Sequence, residues 1–221
     1  MDGLLALWKQ MSTDSRTGQP RQLAAGVDGM RQQHFSRNLT QQLSELHRKL
    51  QRSNEHGVSS YQFAPLLQLE KPKNGAELRK IYVPRLRDQL VLRAMHNDII
   101  SASKRMSWQC STPPPASIVA KLRNTVAEQP AKRLALLTDI SSFYDSIPRN
   151  KVIQHVKQLE LDPLTHQLLD IWDQSLCARP SWTRGSRQDQ SVVGLPQGVS
   201  ISAPLSEIWG SQLETAFKLR C

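Results

Sequence analysis

An apolar run, Leu134-Ala135-Leu136-Leu137, passes through Thr138 to Asp139 and Ile140, and ends in two serines, two aromatics and a second carboxylate, Ser141-Ser142-Phe143-Tyr144-Asp145. A buried strand that ends in a carboxylate delivers an acidic group to a protected site, and Asp139 is that group. Pro148 and the polar Arg149-Asn150 stop the run, and a 3.6-residue period starts at Val152, so strand, turn and helix follow one another. A second stretch, Val192 to Pro204, is punctuated by glycine and proline and leads into a helix. Glycines on both sides of Leu195-Pro196-Gln197 let the backbone approach a neighbour closely, and Gln197 offers both a donor and an acceptor to a base or sugar. A third stretch gathers Lys71, Lys73, Arg79 and Lys80 around Asn74-Gly75, among the strongest short-range hairpin signals. Such cations repel one another unless an anion is present. A triphosphate or a nucleic-acid backbone suits them, with Arg79 gripping bidentately and the lysines acting as point charges. Lysines also blunt exposed edge strands, so the hairpin alone leaves both readings open.

These groups need elements to hold them. Phe63, Leu66, Leu67 and Leu69 make Tyr61 to Lys71 a strand, and the alternation from Arg79 to Val83 makes a second. A helix from about Arg87 to Lys104, with Leu90, Val91, Ala94, Met95 and Ile99 inward, is expected to pack under this hairpin. Upstream, Leu4, Leu5, Leu7 and Trp8 give one or two amphipathic turns before a polar linker from Ser12 to Arg21. Gly26-Val27-Asp28-Gly29 is a turn signal. Phe35, Leu39, Leu43, Leu46 and Leu50 then predict one helix, whose open face carries Arg37, His47, Arg48, Lys49 and Arg52 toward either phosphates or solvent. Ser111-Thr112-Pro113-Pro114-Pro115 is a stiff break, taken as a subdomain boundary, and a helical stretch surrounds Ile118, Val119, Leu122 and Val126. Val152, Ile153, Val156 and Leu159 form a helix. Asp162 caps another, with Pro163 in its first turn and Leu164, Leu168, Leu169, Trp172 and Leu176 inward. Trp182, flanked by Arg179, Arg184 and Arg187, either stacks on bases or fills a local core. The last helix has Pro204 in its first turn and Leu205, Ile208, Trp209, Leu213, Ala216 and Phe217 inward.

With 221 residues the chain can bury a sizeable core in one or two subdomains. Its 29 Lys and Arg against 19 Asp and Glu leave a net charge of +10, which favours an extended anionic partner such as nucleic acid over a membrane surface. No apolar segment approaches the ~20 residues that span a bilayer, and Met1 to Lys9 lacks the pattern of a secretory signal, so a cytoplasmic location is expected. Cys110, Cys177 and Cys221 have neither disulfide-framework nor zinc-ligand spacing.

Taken in order, the motifs resemble reverse transcriptases, most closely the bacterial branch of group II intron, retron and phage-defence enzymes. Gly26-Val27-Asp28-Gly29 resembles the intron-type N-terminal motif, and Lys71-Pro72 through Arg79, with Pro84-Arg85-Leu86-Arg87-Asp88-Gln89, resembles the fingers segment. Asp139-Ile140-Ser141-Ser142-Phe143-Tyr144-Asp145 is similar to the first palm motif. Gly194-Leu195-Pro196-Gln197-Gly198 with Ser202-Ala203-Pro204 is similar to the second, and is the most specific of the four. The resemblance implies an α/β (α+β) fold with the fingers and part of the palm of a right-hand polymerase, mostly helical, with a basic fingers hairpin and a palm sheet. It divides the chain into an N-terminal extension at 1–23, fingers at 24–115 and an incomplete palm at 116–221.

The implied activity is RNA-directed DNA synthesis, a nucleotidyl transfer with two Mg2+ ions, Mn2+ being an alternative. By resemblance, Asp139 is the catalytic metal ligand, with the carbonyl of Ile140 as a second oxygen. Tyr144, beside Phe143, lies against the ribose and excludes a 2′-hydroxyl. Gln197 contacts the incoming nucleotide or the template, Gly198 the nucleotide, and Arg79 with Lys71 or Lys73 its triphosphate. Lys80, Arg85, Arg87, Pro196, Trp182, Arg184 and Arg187 face nucleic acid. The implied partners are an RNA template, a DNA product, deoxynucleoside triphosphates, a cognate non-coding RNA, and a protein partner or second copy, with no membrane. Two departures stand out. The family's remaining catalytic aspartates, in a Tyr-x-Asp-Asp hairpin, would lie past Cys221, and Asp145, pointing away from Asp139 in a regular strand-to-turn geometry, is not expected to replace them. Ser107 to Lys121 also lacks the Phe-Arg motif of intron enzymes. The alternative is a catalytically incomplete relative that binds nucleic acid or serves as a scaffold.

Overall fold

The computed structural model describes residues 1–52, 57, 59–72, 78–106, 124, 142–178 and 190–218. Lys73-Asn74-Gly75, the Ser111 to Pro115 break, the run from Leu134 to Ile140, and Trp182 with its three arginines lie outside the described residues. The helices are α1 (Asp2–Ser12), α2 (Gln32–Arg37), α3 (Leu39–Gln51), α4 (Leu86–Arg105), α5 (Phe143–Ser146), α6 (Arg149–Val156), α7 (Pro163–Asp173) and α8 (Ser202–Lys218). The strands are β1 (Leu66–Pro72), β2 (Leu78–Val83), β3 (Leu176–Ala178) and β4 (Gln190–Ser191). They form one mixed sheet in the order β2-β1-β3-β4, so the fold is α+β.

The expected strand pair is present, except that the first strand, expected from Tyr61, begins at Leu66. β1 and β2 run antiparallel with Leu67 opposite Val83 and Lys71 opposite Arg79, while β3 joins β1 in parallel through Leu66 and Cys177. Leu66, Tyr82 and Val83 are buried at the base of the pair, and its outer end, Lys71 and Pro72 with Leu78 to Lys80, is exposed. The helix after it bears out the inward stripe, since Leu90, Val91, Met95 and Ile99 are buried, and it packs against α1 and α8. Asp162 caps α7, its Oδ1 accepting the Leu164 N–H at 2.8 Å.

Other expectations change. The single helix expected from Phe35 to Leu50 is two, broken at Asn38 (φ −114°, ψ 30°), which closes α2 through its N–H to Phe35 and opens α3 through its carbonyl to Gln42. The turn or two around Trp8 is a full helix, and Trp8 stacks on Phe35 at 4.6 Å, tying α1 into the core. Leu176 does not continue α7. It pairs with Ser191 in β3 and is 40% exposed, because the helix ends at Gln174. No helix among the described residues is long and apolar enough to cross a membrane.

Candidate functional site

The glycine-flanked loop is the joint on which the site is built. On one side the Leu195 N–H donates to the Tyr144 carbonyl at 2.8 Å; on the other the Tyr82 N–H donates to the Gln197 carbonyl at 2.8 Å. Both glycines sit in the left-handed region, Gly194 at φ +67° and Gly198 at φ +94°. A Cβ at Gly194 would lie 2.3 Å from the Tyr144 carbonyl oxygen and 2.7 Å from Asp145 Cα. One at Gly198 would lie 2.9 Å from Ile81 Cγ2 and 3.0 Å from the Tyr82 oxygen. The loop therefore touches backbone on both flanks, which only glycine permits. Its underside is pinned by buried Leu195, Val199 and Ile201, and the Ser202 hydroxyl donates to the Pro196 carbonyl at 2.8 Å.

The segment bearing Phe143 and Tyr144 lies where a turn between strand and helix is expected. It is a helical turn, α5, launched by Ser142 in the left-handed region (φ 50°, ψ 40°) and closed by the Ser146 N–H on the Ser142 carbonyl at 3.0 Å. The Ser146 hydroxyl adds a 2.8 Å bond to the Phe143 carbonyl. Serine supplies local hydrogen bonds that compete with an extended backbone. The two rings meet edge to face at 5.9 Å. Asp145 is exposed with its backbone against Gly194. Asp139 and Ile140 lie outside the described residues, as do Lys73, Trp182, Arg184 and Arg187. Among the described residues no group of three or more His, Cys, Asp or Glu side chains could hold a metal ion.

The cations form two groups that share Lys71. Lys71 and Arg79 face each other across the ribbon, and Lys80 lies opposite Glu70, all of them exposed. At the ribbon's base a cavity of about 510 Å³ is lined by Arg21, Lys71, Arg93, Gln89, Gly198 and Ser200, among others. Three cations from distant stretches of the chain thus meet beside the loop, and Arg93 Nε is buried without a hydrogen-bond partner. Nothing in the spacing of Arg21, Lys71 and Arg93 announces this; only the tertiary fold brings them together. Arg85 and Arg87, expected to face nucleic acid, use donors inside the protein. Arg85 pairs with Asp88 at 2.9 Å and donates to the Gln62 carbonyl at 3.0 Å. Arg87 bonds Gln42 at 2.8 Å and Glu45 at 2.5 Å, and holds the Glu45 carboxyl below the usual carboxylate range.

Beneath the loop, His96 Nδ1 lies 2.8 Å from the Ser200 carbonyl. A carbonyl only accepts, so Nδ1 carries the proton of the neutral ring. Burial pushes the His96 pKa below its ordinary 6.5, with Arg93 adding to the effect, while the Ser200 bond and Glu207 oppose it. The unfolded chain therefore binds the proton more readily than the folded one, and stability falls as pH drops from 7 through 6.5. His96→Gln is expected to flatten that part of the curve, measured as urea midpoints between pH 7.5 and 5.5; an unaltered slope would remove His96 as its source.

A family model described as reverse transcriptase (RNA-dependent DNA polymerase) matches residues 71–221. No curated protein matches the chain.

Proposed function

The chain belongs to the reverse transcriptase family, and from that membership we propose that it takes part in RNA-directed DNA synthesis, adding deoxynucleotides to a primer on an RNA template. The observation that carries this reading is the double docking of the Gly194–Gly198 loop. It joins the Tyr144 turn to the base of the Lys71/Arg79 ribbon through two backbone hydrogen bonds, giving one frame for sugar, base and phosphates. In this reading Tyr144, beside Phe143, faces the sugar, Gln197 and Gly198 the nucleotide, and Arg79 with Lys71 and Lys73 the triphosphate. Arg21 and Arg93 join Lys71 in holding a nucleic-acid strand at the cavity.

Asp139 supplies the hard oxygen that suits Mg2+, or Mn2+ in its place, with the Ile140 carbonyl beside it; the ion would stabilise the charge that develops on the phosphate. The setting that fits the motifs is a bacterial retroelement or defence system, in the cytoplasm, with a cognate non-coding RNA. A protein that binds nucleic acid without polymerising would use the same cations, and the +10 charge serves both readings. They separate on nucleotide use.

Arg79→Ala is expected to raise the KM for deoxynucleoside triphosphates roughly ten- to hundredfold, because a charge-assisted hydrogen bond is worth about 1.5–3 kcal/mol. Binding of primed RNA should change much less and should weaken steeply with salt in both proteins. Primer extension at varied nucleotide concentration reads the first effect and a salt titration the second. An unchanged KM would count against the triphosphate role, and salt-insensitive binding against nucleic acid as the partner.

A further inference from the structure

We propose that Gly194 is a positioning residue for Tyr144, and that the choice between deoxynucleotide and ribonucleotide is set as much by this glycine as by the tyrosine ring. The inference rests on Tyr144 facing the sugar. Its physical basis is the contact itself. The Gly194 backbone presses on the Tyr144 carbonyl and on Asp145, so that any side chain there would come within 2.3 Å of the carbonyl oxygen. The next residue holds the same carbonyl through the Leu195 N–H at 2.8 Å. The turn that carries Tyr144 is four residues long, begins at a left-handed Ser142, and contains no buried residue. Phe143 and Tyr144 are only partly buried against the core, so the contact with the loop shares in setting the position of the turn. The loop is anchored far better: Leu195 and Ile201 are fully buried, Ser202 ties the Pro196 carbonyl, and Tyr82 ties the Gln197 carbonyl. When the two collide, the turn moves.

Gly29 supplies the control. It has nearly the same backbone angle, φ +64°, with nothing within 4 Å of where a Cβ would be. Gly29→Ala therefore imposes the same backbone strain as Gly194→Ala without touching Tyr144.

The test measures binding of the next deoxynucleoside and ribonucleoside triphosphates to the protein on an RNA template whose primer ends in a dideoxynucleotide, so no turnover is needed. A displacement of the ring by about an ångström is expected to lower the deoxy-to-ribo ratio on the order of tenfold or more in Gly194→Ala. Gly29→Ala should stay within about twofold of the parent. A merely structural role for Gly194 would weaken both nucleotides equally and leave the ratio alone. Because Gly194→Ala is strained, a second variant replaces Leu195 by its α-hydroxy analogue, which keeps the side chain, removes the N–H and should also lower the ratio. Tyr144→Ala separates the two ideas. If it lowers the ratio while both loop variants hold it within about twofold, the positioning role is overturned and Tyr144 keeps its own. If Tyr144→Ala leaves the ratio unchanged, the reading of Tyr144 fails and the role of Gly194 falls with it.

Discussion

Asp139→Ala is expected to abolish nucleotide addition, by a factor on the order of 10³ or more, while primed RNA remains bound. In the proposed reading Asp139, which follows the apolar run from Leu134 to Leu137, is the oxygen ligand that phosphoryl transfer needs. Removing a group that stabilises developing charge loses several kcal/mol of barrier reduction, and each 1.36 kcal/mol is tenfold in rate. Binding should survive because the proposed strand contacts lie elsewhere: Arg21, Lys71 and Arg93 keep their charges and their places at the cavity. Asp139→Asn sharpens the point. It keeps shape and hydrogen bonding but not charge, so a ligand role requires the asparagine variant to fail as the alanine does, whereas a strand-end cap would be largely rescued by it. Single-turnover primer extension beside a binding titration gives both readings, and undiminished synthesis by Asp139→Ala would sink the polymerase assignment.

How much of this was legible in the sequence depended on how local the cause was. The Asp162 cap, the Gly26–Gly29 turn (Gly29 N–H to Gly26 carbonyl, 3.0 Å) and the ribbon's two strands follow from residues a few positions apart, and spacing exposes such causes. The two loop glycines announced a close approach, though only the fold could say to what. Asn38 escaped because one short polar residue inside an apolar pattern can redirect the backbone while leaving the periodicity intact. Arg85 and Arg87 looked like surface cations because their acceptors, Asp88 excepted, lie on other elements. Arg21, Lys71 and Arg93 share a cavity only because the stretch before Gly26 folds back over β2 and α4; Gln89 fixes it there by donating to the Ala24 carbonyl at 3.0 Å.

That fold-back has a keystone, and removing it is the second large effect. Asp88→Ala is expected to cost about 3–5 kcal/mol, the usual penalty for breaking a buried, hydrogen-bonded charge pair. The Asp88 side chain is 1% exposed and serves three partners: the Tyr61 hydroxyl donates to Oδ1, the Ala64 N–H donates to Oδ2 at 3.0 Å, and Arg85 Nε lies 2.9 Å from Oδ2. Burial pushes the Asp88 carboxyl up, and burial together with Asp88 pushes the Tyr61 phenol up. With alanine, the buried Tyr61 hydroxyl, the part-buried Ala64 N–H and a half-buried guanidinium lose their acidic partner at once. The same spot carries the fold-back, since Gly26 lies so close to Arg85 that a Cβ would fall 2.4 Å from its Cα. A loss of this size in a chain of 221 residues lowers Tm by roughly 10 °C. Asp88→Asn should cost less, because it keeps one acceptor and escapes the desolvation that raises the acid. Tyr61→Phe should cost about 1–2 kcal/mol, and less than that when added to Asp88→Ala, since the hydroxyl has then already lost its acceptor. Denaturant melts of the four proteins close the cycle: strict additivity would show that the Tyr61–Asp88 bond contributes nothing, and an Asp88→Ala cost under about 1 kcal/mol would mean that the joint beneath the ribbon is held by packing alone.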